Sequence, residues 1–277
     1  MKRAWIIGNG PSLINTNLDL IKGERSFASN RIHLIYGRTK WRPTDYVRSE
    51  NLEGYDIETV ANDIKEAFKL GITMWMPTHF RDGFVAPRRL RKFALPSSRE
   101  EYFTHCEHAE MYYDDPGAPT EWHLPRVCHF GTVTAVAIQI AVKDGCDEIY
   151  LVGADLDYKD GRPNHFTPDY EMPGYVTRAD RQYYGNLRAL ENAKRSCPVP
   201  IVNCTVGGKL ELFPRMTIEE VLSGKRLQPG QGSAPGSQLD GSEGDDRPVG
   251  AGSGDVQGQP EVRQGRRVQG KRPGAGE

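Results

Sequence analysis

The first strong pattern in the chain is a short apolar run that stops abruptly at glycine. Residues 4–7 read AWII, and the GNGPS sequence of residues 8–12 follows at once. A continuous apolar run of this length, bounded by glycine, is typical of a strand buried on both faces of a parallel sheet. Because parallel strands need crossover connections that pack on the sheet, this beginning predicts an α/β fold.

Strand-like and helix-like patterns alternate along much of the remaining chain. Apolar runs predict strands at residues 31–36, 45–48, 72–76, 147–153 and 200–203. Helical spacing predicts helices at residues 57–70, 134–144, 179–195 and 217–222, the last with a capping box of Thr217 and Glu220. This alternation predicts a doubly wound, mostly parallel, Rossmann-like sheet with helices on both faces. No element is predicted within residues 77–126, which we interpret as an irregular insertion.

The C-terminal end of the chain has a different composition. Residues 227–277 contain no aromatic residue and are rich in Gly, Pro, Ser, Gln and Asp. Such a segment buries too little apolar surface to offset the entropy of ordering it, so we predict a disordered tail. The tail also explains why only 37% of the whole chain is hydrophobic. The predicted folded domain therefore covers residues 1–226, with the insertion inside it.

Charge and cysteine content exclude several classes of protein. The chain has 36 basic and 37 acidic residues, so a net attraction to nucleic acid or anionic lipid is not expected. Its apolar runs fall short of the roughly 18–20 residues of a membrane span, and its first residues enter a strand instead of a signal peptide. Five widely spaced cysteines form neither a disulfide framework nor a CxxC zinc motif. We expect a cytoplasmic protein with no integral membrane segment and no nucleic-acid partner.

Candidate binding residues follow from the expected fold. Ligands of open parallel sheets bind beyond the carboxyl ends of the strands, where the strand order reverses. Glycine at such a turn lets a ligand approach the backbone, and exposed N–H groups there can cradle phosphate. The residues that this rule selects are Gly8, Asn9, Gly10 and Ser12 after the first strand, Asn30 and Asn51 beside the second and third, Gly131 and Thr132 at the start of the helix at 134–144, and Gly153 and Asp155 after the strand at 147–153.

Each of these positions has an ordinary structural alternative. The glycine turn lacks the third glycine of the dinucleotide fingerprint and the Gly-Lys-Ser/Thr ending of a P-loop, so it could be a simple tight turn. Thr132 could be only a helix cap. Asp155 and Asp157 could bind a ribose hydroxyl, hold Mg²⁺, act as a base or belong to an ordinary turn. His165, in the loop that follows, is the candidate catalytic base, with an ordinary loop histidine as the alternative.

Four segments together resemble a known family. They are IIGNGPSL at residues 6–13, GTVTAVAIQIA at residues 131–141, DEIYLVGADLDY at residues 147–158, and the HF pair at residues 165–166. The pattern resembles the bacterial family 42 sialyltransferases, and it is similar to the motility-associated flagellin glycosylation factors and the archaeal 6-hydroxymethylpterin diphosphokinases of the same superfamily. The resemblance covers about residues 4–60 and 126–222.

The resemblance implies a cytidine nucleotide site and assigns roles to the candidate residues. Asn9, Gly10 and Ser12 would contact phosphate and ribose, Asn30 and Asn51 the nucleotide or donor sugar, Thr132 the phosphate, and Gly153 with Asp155 the base and ribose. Residues 157–180 would close over the donor as a lid. Tyr158 would stabilise charge on the leaving phosphate without a metal. The partners would be a nucleotide sugar and a glycan or small-molecule acceptor, and homo-oligomers are common among such sialyltransferases.

One departure from the family keeps alternatives open. The sialyltransferases carry a general-base histidine shortly before the last long helix, and residues 178–184 contain none. Our leading prediction is a glycosyltransferase that uses a CMP-linked or other nucleotide sugar, needs no cofactor, and has His165, Asp155 and Tyr158 as catalytic residues. The first alternative is pyrophosphoryl transfer from ATP, with Asp155 and Asp157 holding Mg²⁺. The second is a non-catalytic nucleotide- or glycan-binding protein.

Overall fold

The structure is a computed structural model of the chain. It describes residues 1–49, 57–77, 106–113, 126–129, 132–159, 164–171 and 179–226. All of these lie in one structural unit, Met1–Ala234. The predicted tail lies outside the described residues, as do parts of the predicted insertion and lid, so those boundaries stay predictions.

The described elements alternate between strands and helices. The strands are β1 (Arg3–Ile7), β2 (Ser26–Ser29), β3 (Asp45–Val47), β4 (Thr73–Pro77), β5 (Cys106–Tyr113), β6 (Arg126–His129), β7 (Glu148–Val152) and β8 (Ile201–Asn203). The α-helices are α1 (Ile57–Lys69), α2 (Val133–Lys143), α3 (Ala179–Ser196) and α4 (Ile218–Leu222). Short 3₁₀ turns occupy Pro11–Asn15, Leu18–Ile21, Ile32–Ile35 and Pro168–Tyr170.

The described strands form one eight-stranded sheet in the order β6-β5-β4-β3-β2-β1-β7-β8, and every pairing is parallel. From β1 the chain moves outward to β6 on one side, and it returns to β7 on the other side of β1. β1 and β7 pair from Arg3 opposite Glu148 to Ile7 opposite Val152. The strand order therefore reverses between β1 and β7, and the predicted doubly wound α/β fold is confirmed.

Separate apolar clusters cover the two faces of the sheet. Alternate residues of β1 enter them, with Trp5 and Ile7 in one cluster and Ala4 and Ile6 in the other. Helix α1 packs into the first cluster, whereas α2 and α3 pack into the second. Because β1 is buried from both sides, it carries the continuous apolar run that its sequence shows. Helices lie on both faces, as predicted.

The prediction of a strand at residues 31–36 is wrong. β2 lies earlier, at Ser26–Ser29, and Ile32–Ile35 forms a 3₁₀ turn. Asn30, between them, has a φ of 50°, which ends the extended strand. The two isoleucines of the turn stand three residues apart and are both buried, which is the spacing of a 3₁₀ helix. The apolar residues that suggested a strand are therefore buried with helical periodicity.

The other predicted strands and helices are present, and each of their bounds differs from the prediction by at most one residue. The capping box of α4 forms as predicted, since the Glu220 N–H donates to Thr217 Oγ1 at 3.1 Å and the Thr217 N–H donates to Glu220 Oε2 at 2.9 Å. Two strands were missed, β5 and β6, because their sequences CEHAEMYY and RVCH have no long apolar run or clean alternation. The expectation that residues 77–126 hold no regular element is therefore wrong, since β5 lies within them. Within the described ranges, no helix combines the length and apolarity needed to cross a bilayer.

Candidate functional site

A cavity of about 710 Å³ lies beyond the carboxyl ends of β1 and β7, where the strand order reverses. It is lined by residues 8–11, 29–30, 132–134, 153–158, 164–165 and 170, and by one face of α3. The predicted site residues that line it are Gly8, Asn9, Gly10, Asn30, Thr132, Gly153, Asp155, Asp157, Tyr158 and His165. Ser12 lies behind this wall, and Asn51 and Gly131 lie outside the described residues.

The turn after β1 and the loop after β7 are fastened to each other. The Gly8 N–H donates to the Val152 carbonyl at 2.7 Å, and the Gly10 N–H donates to the Gly153 carbonyl at 2.9 Å. A Cβ on Gly8 would lie 2.4 Å from the Gly153 carbonyl oxygen, so glycine is needed for this close approach. Because both N–H groups already have carbonyl acceptors, they are not among the exposed N–H groups expected to cradle a phosphate at this turn.

Asp155 joins the same two loops. Its Oδ1 accepts from the Ser12 N–H at 3.0 Å and its Oδ2 accepts from Ser12 Oγ at 2.8 Å, across 143 residues of sequence. Burial raises the pKa of the Asp155 carboxyl, although the hydrogen bonds from Ser12 act in the opposite direction. Ser12 therefore donates both its N–H and its hydroxyl to Asp155. Asp155 lines the cavity and also holds two loops of the cavity wall together.

Asp157 is held by two lysines on the outer side of the same loop. Its carboxylate lies 2.8 Å from Lys209 Nζ and 2.9 Å from Lys159 Nζ. The hydrogen bonds from these lysines lower the pKa of Asp157. The pair of carboxylates assigned to Mg²⁺ in the first alternative is thus already engaged by protein donors. The described part of the chain contains no group of three or more His, Cys, Asp or Glu side chains placed to hold a metal ion.

His165 is paired with a carboxylate that the sequence analysis missed. Its Nδ1 lies 2.7 Å from Oε1 of Glu171, and its ring stacks on Tyr170 with centroids 3.8 Å apart and an interplanar angle of 12°. The Phe166 N–H donates to the Asn9 carbonyl at 3.1 Å, which couples this loop to the turn after β1. A carboxylate on Nδ1 orients the imidazole and stabilises its protonated form, the arrangement of a general base.

Arg31 secures the segment that carries this pair. Its Nη1 donates to the carbonyl oxygens of Asp169 and Tyr170, both at 2.7 Å, and its guanidinium lies 6.0 Å from the centre of the Tyr170 ring. Its Nε lies 3.7 Å from Oδ1 of the buried Asp63 on α1. No local sequence pattern indicated Glu171 or Arg31 as site residues. Arg31 contacts residues that lie 138 and 139 positions further along the chain, and Glu171 contacts His165 within one loop, so neither contact follows from a local pattern.

Two asparagine side chains give the cavity wall unsatisfied hydrogen-bond acceptors. The Asn9 Nδ2 donates to the Ser29 carbonyl at 3.3 Å, and the Asn30 carbonyl accepts from the Tyr46 hydroxyl at 3.1 Å. The Oδ1 atoms of Asn9 and Asn30 are buried without a hydrogen-bond partner among the described residues. Because a buried acceptor without a donor destabilises the fold, these atoms suit hydroxyl or amino donors of a ligand.

The first turn of α2 supplies a positive end to the cavity. Thr132 caps the helix by accepting from the Thr134 N–H at 3.4 Å, so its capping role is observed. Residues 132–134 line the cavity, and the first turn carries no acidic side chain. The unpaired N–H groups and dipole of a helix N-terminus favour an anion such as a phosphate.

Comparison with known proteins shows structural similarity to two enzymes. No family model matches the chain, and no curated protein matches it by sequence. The structure is similar to that of the MAf glycosyltransferase from Magnetospirillum magneticum AMB-1, with 18% identity, a TM-score of 0.45, and coverage of 79% of this chain and 34% of that one. It is also similar to the sialyltransferase CstII from Campylobacter jejuni in complex with a substrate analogue, cytidine-5′-monophosphate, with 15% identity, a TM-score of 0.40, and coverage of 77% and 84%.

The chain therefore spans about a third of the length of the Magnetospirillum enzyme and most of the length of the Campylobacter enzyme. A second structure of the Campylobacter enzyme, with a trisaccharide acceptor and CMP, shares 14% identity and a TM-score of 0.33. Sequence identity is low in every case, so no residue role is carried over from these enzymes.

Proposed function

We propose that the protein is a nucleotide-dependent transferase, and more specifically a glycosyltransferase that takes a sugar from a CMP-linked donor bound in this cavity. The observation that carries the proposal is His165, which contacts Glu171 through Nδ1 and lines the same cavity as the first turn of α2. A base and an anion-binding helix end in one cavity are the parts that displacement of a phosphate by a hydroxyl requires. The choice of CMP rests on the resemblance of the GNGPSL and GADLDY segments to the sialyltransferases.

The proposed reaction assigns one role to each element. Nδ1 of His165 faces Glu171, so Nε2 is the ring atom that takes the proton of the acceptor hydroxyl. The acceptor oxygen then bonds to the anomeric carbon of the sugar as the bond from that carbon to the phosphate oxygen breaks. The nucleotide leaves with the electron pair, and the first turn of α2 and the Tyr158 hydroxyl stabilise its charge. The proton ends on His165, where Glu171 offsets its charge.

A thermal-shift screen tests the nucleotide. CMP, CDP, UMP, UDP, GDP, AMP and ATP are each added with and without Mg²⁺, because a ligand that binds only the folded chain raises the Tm. Stabilisation by CMP or CDP without metal is the expected result. Stabilisation only by AMP or ATP with Mg²⁺ favours pyrophosphoryl transfer instead. A chain that responds to none of them contradicts the proposal.

Release of CMP from CMP-N-acetylneuraminic acid tests the chemistry without a known acceptor, because water can take the place of the hydroxyl. The His165→Ala variant should bind CMP like the unmodified chain and lose about 100-fold or more of the release rate. Equal rates in the two proteins, or binding with no release in either, favour a non-catalytic nucleotide-binding protein.

The proposal keeps two further expectations from the sequence, a cytoplasmic location and assembly of the chain into oligomers. Subcellular fractionation and light scattering test them.

A further inference from the structure

Gly185 occupies an unusual position on the cavity wall. It lies inside the 18-residue helix α3, is exposed, and lines the cavity. A Cβ built on it would have no described atom within 4 Å, apart from its own helix backbone and chain neighbours. Glycine in a helix interior is less favourable than alanine, because it adds backbone entropy to the unfolded state. Packing within the described part of the chain therefore does not require a glycine here.

The residues beside Gly185 make an uncharged polar surface. Gln182 and Asn186 line the cavity with it, and Leu190 lines it one turn further along α3. The Asn186 Nδ2 donates to the Gln182 carbonyl at 2.8 Å, which uses one of the two N–H bonds of that carboxamide. Its remaining N–H and its Oδ1 can serve a ligand hydroxyl.

This surface adjoins the end of the cavity that favours anions. Leu190 of α3 and Val136 of α2 belong to the same apolar cluster, so the two helices pack together. Thr132, the cap of α2, lines the same cavity as Gly185. A nucleotide whose phosphate lies at the first turn of α2 would therefore share this cavity with the exposed backbone of α3.

We propose that Gly185 and Asn186 form a close-approach surface for the ribose-phosphate part of a nucleotide, in which the missing side chain at position 185 lets the ligand lie against the helix backbone. The carboxamide of Asn186 would bond a ribose hydroxyl. This inference rests on the proposed function, because it needs a nucleotide in the cavity. It adds a surface of α3 that the sequence resemblance did not assign.

The Gly185→Ala variant distinguishes a binding role of Gly185 from a structural one, because alanine should stabilise the fold and at the same time weaken nucleotide binding. Alanine should raise the Tm by about 2–4 °C, since it favours the helix and meets no described atom. It should weaken CMP binding by roughly tenfold, measured by calorimetry, since a ligand packed on the backbone has no room for a methyl group. One methyl fills little of a 710 Å³ cavity, so affinity falls only if the ligand lies against this helix.

Gly37→Ala is the matched control. Gly37 is also exposed, has no described atom within 4 Å of an added Cβ, and does not line the cavity, so its variant should bind CMP normally. A second variant, Asn186→Ala, replaces a residue by a strong helix former and should weaken CMP binding by roughly 2- to 10-fold.

A raised Tm with unchanged CMP affinity in Gly185→Ala would overturn the inference while leaving the proposed function intact. Normal CMP binding by Asn186→Ala would contradict the proposed contact between Asn186 and the ribose. An unmodified chain that binds no nucleotide would overturn both the proposed function and this inference, so the two failures are distinguishable.

Discussion

Nδ1 of His165 lies 2.7 Å from Oε1 of Glu171, six residues further along the chain. The stacked ring of Tyr170 holds the imidazole in the plane that this contact needs. A histidine fixed by both a carboxylate and an aromatic ring has little rotational freedom, so the nitrogen opposite Nδ1 is aimed in one direction. This geometry supports the proposed role of His165 as the base.

Removal of the charge at Glu171 should slow the reaction without weakening nucleotide binding. In Glu171→Gln the side chain keeps its size, but it no longer stabilises the protonated imidazole. We expect CMP release from the donor to fall about 10-fold or more, and CMP affinity to stay within about 2-fold. Glu211→Gln is the control, because Glu211 is 75% exposed, lies 3.7 Å from Arg215 and does not line the cavity. Equal release rates in the Glu171 and Glu211 variants would contradict the role of Glu171.

Loss of Arg31 should loosen the segment that carries the pair. Arg31→Ala removes two hydrogen bonds to backbone carbonyls, so amide hydrogen exchange within residues 164–171 should speed up. Arg42→Ala is a close match, because Arg42 also donates to backbone carbonyls, those of Tyr36, Thr39 and Trp41, and lies over an aromatic ring. That variant should leave exchange at residues 164–171 unchanged. The same exchange rates in both variants would show that Arg31 does not hold the segment.

Substitution of Gly8 should destabilise the whole domain. A Cβ at this position would lie 2.4 Å from the Gly153 carbonyl oxygen, and backbone cannot move aside as a flexible side chain can. We expect Gly8→Ala to lower the free energy of unfolding by about 1–3 kcal/mol in urea denaturation. Gly37→Ala, with no described atom near the added Cβ, should change it by less than about 0.5 kcal/mol. Similar values for the two variants would mean that the two loops can separate without loss.

The two aspartates of the loop after β7 should affect the pH dependence of stability in opposite directions. The pKa of Asp157 is lowered from its ordinary value of 3.8, so Asp157 stabilises the fold above that pH, and the contribution is lost as the pH falls through its lowered pKa. Burial raises the pKa of Asp155, so its contribution favours the fold at low pH and is lost as the pH rises through the raised value.

Urea denaturation from about pH 2.5 to about pH 6.5 tests both signs, with Asp157→Asn and Asp155→Asn compared with the unmodified chain. The stability advantage of the unmodified chain over Asp157→Asn should shrink on acidification. Relative to Asp155→Asn, the unmodified chain should lose stability as the pH rises. Parallel curves for either variant would contradict the corresponding pKa direction.

Local patterns in the sequence predicted most of the elements correctly. The apolar run of β1, the capping box of α4 and the helical spacing of α1 depend only on residues near one another, so a short window contains the information. The segment at 31–36 failed because a left-handed Asn30 ended the strand before it. β5 was missed because its place between β4 and β6, and not its own composition, makes it a strand.

For the candidate site, the sequence predicted the ends of β1 and β7 and the start of α2, because those positions follow from the general rule for parallel sheets. It did not indicate Glu171, Arg31 or Gly185. Arg31 acts on residues distant in the sequence, Glu171 acts through the fold of its own loop, and Gly185 acts through the absence of a side chain. None of these leaves a periodic pattern.

By itself, then, the sequence determined the α/β class, the glycine turn after β1 and the candidate base His165, since these follow from local composition and spacing. Only the tertiary structure decided that β1 lies beside β7, that Ser12 donates to Asp155 across 143 residues, and that the Glu171 carboxylate contacts His165. The physical reason is that strand order depends on burying both faces of the sheet at once. Segments distant in the sequence make contact only when burial of the two sheet faces has placed their strands side by side.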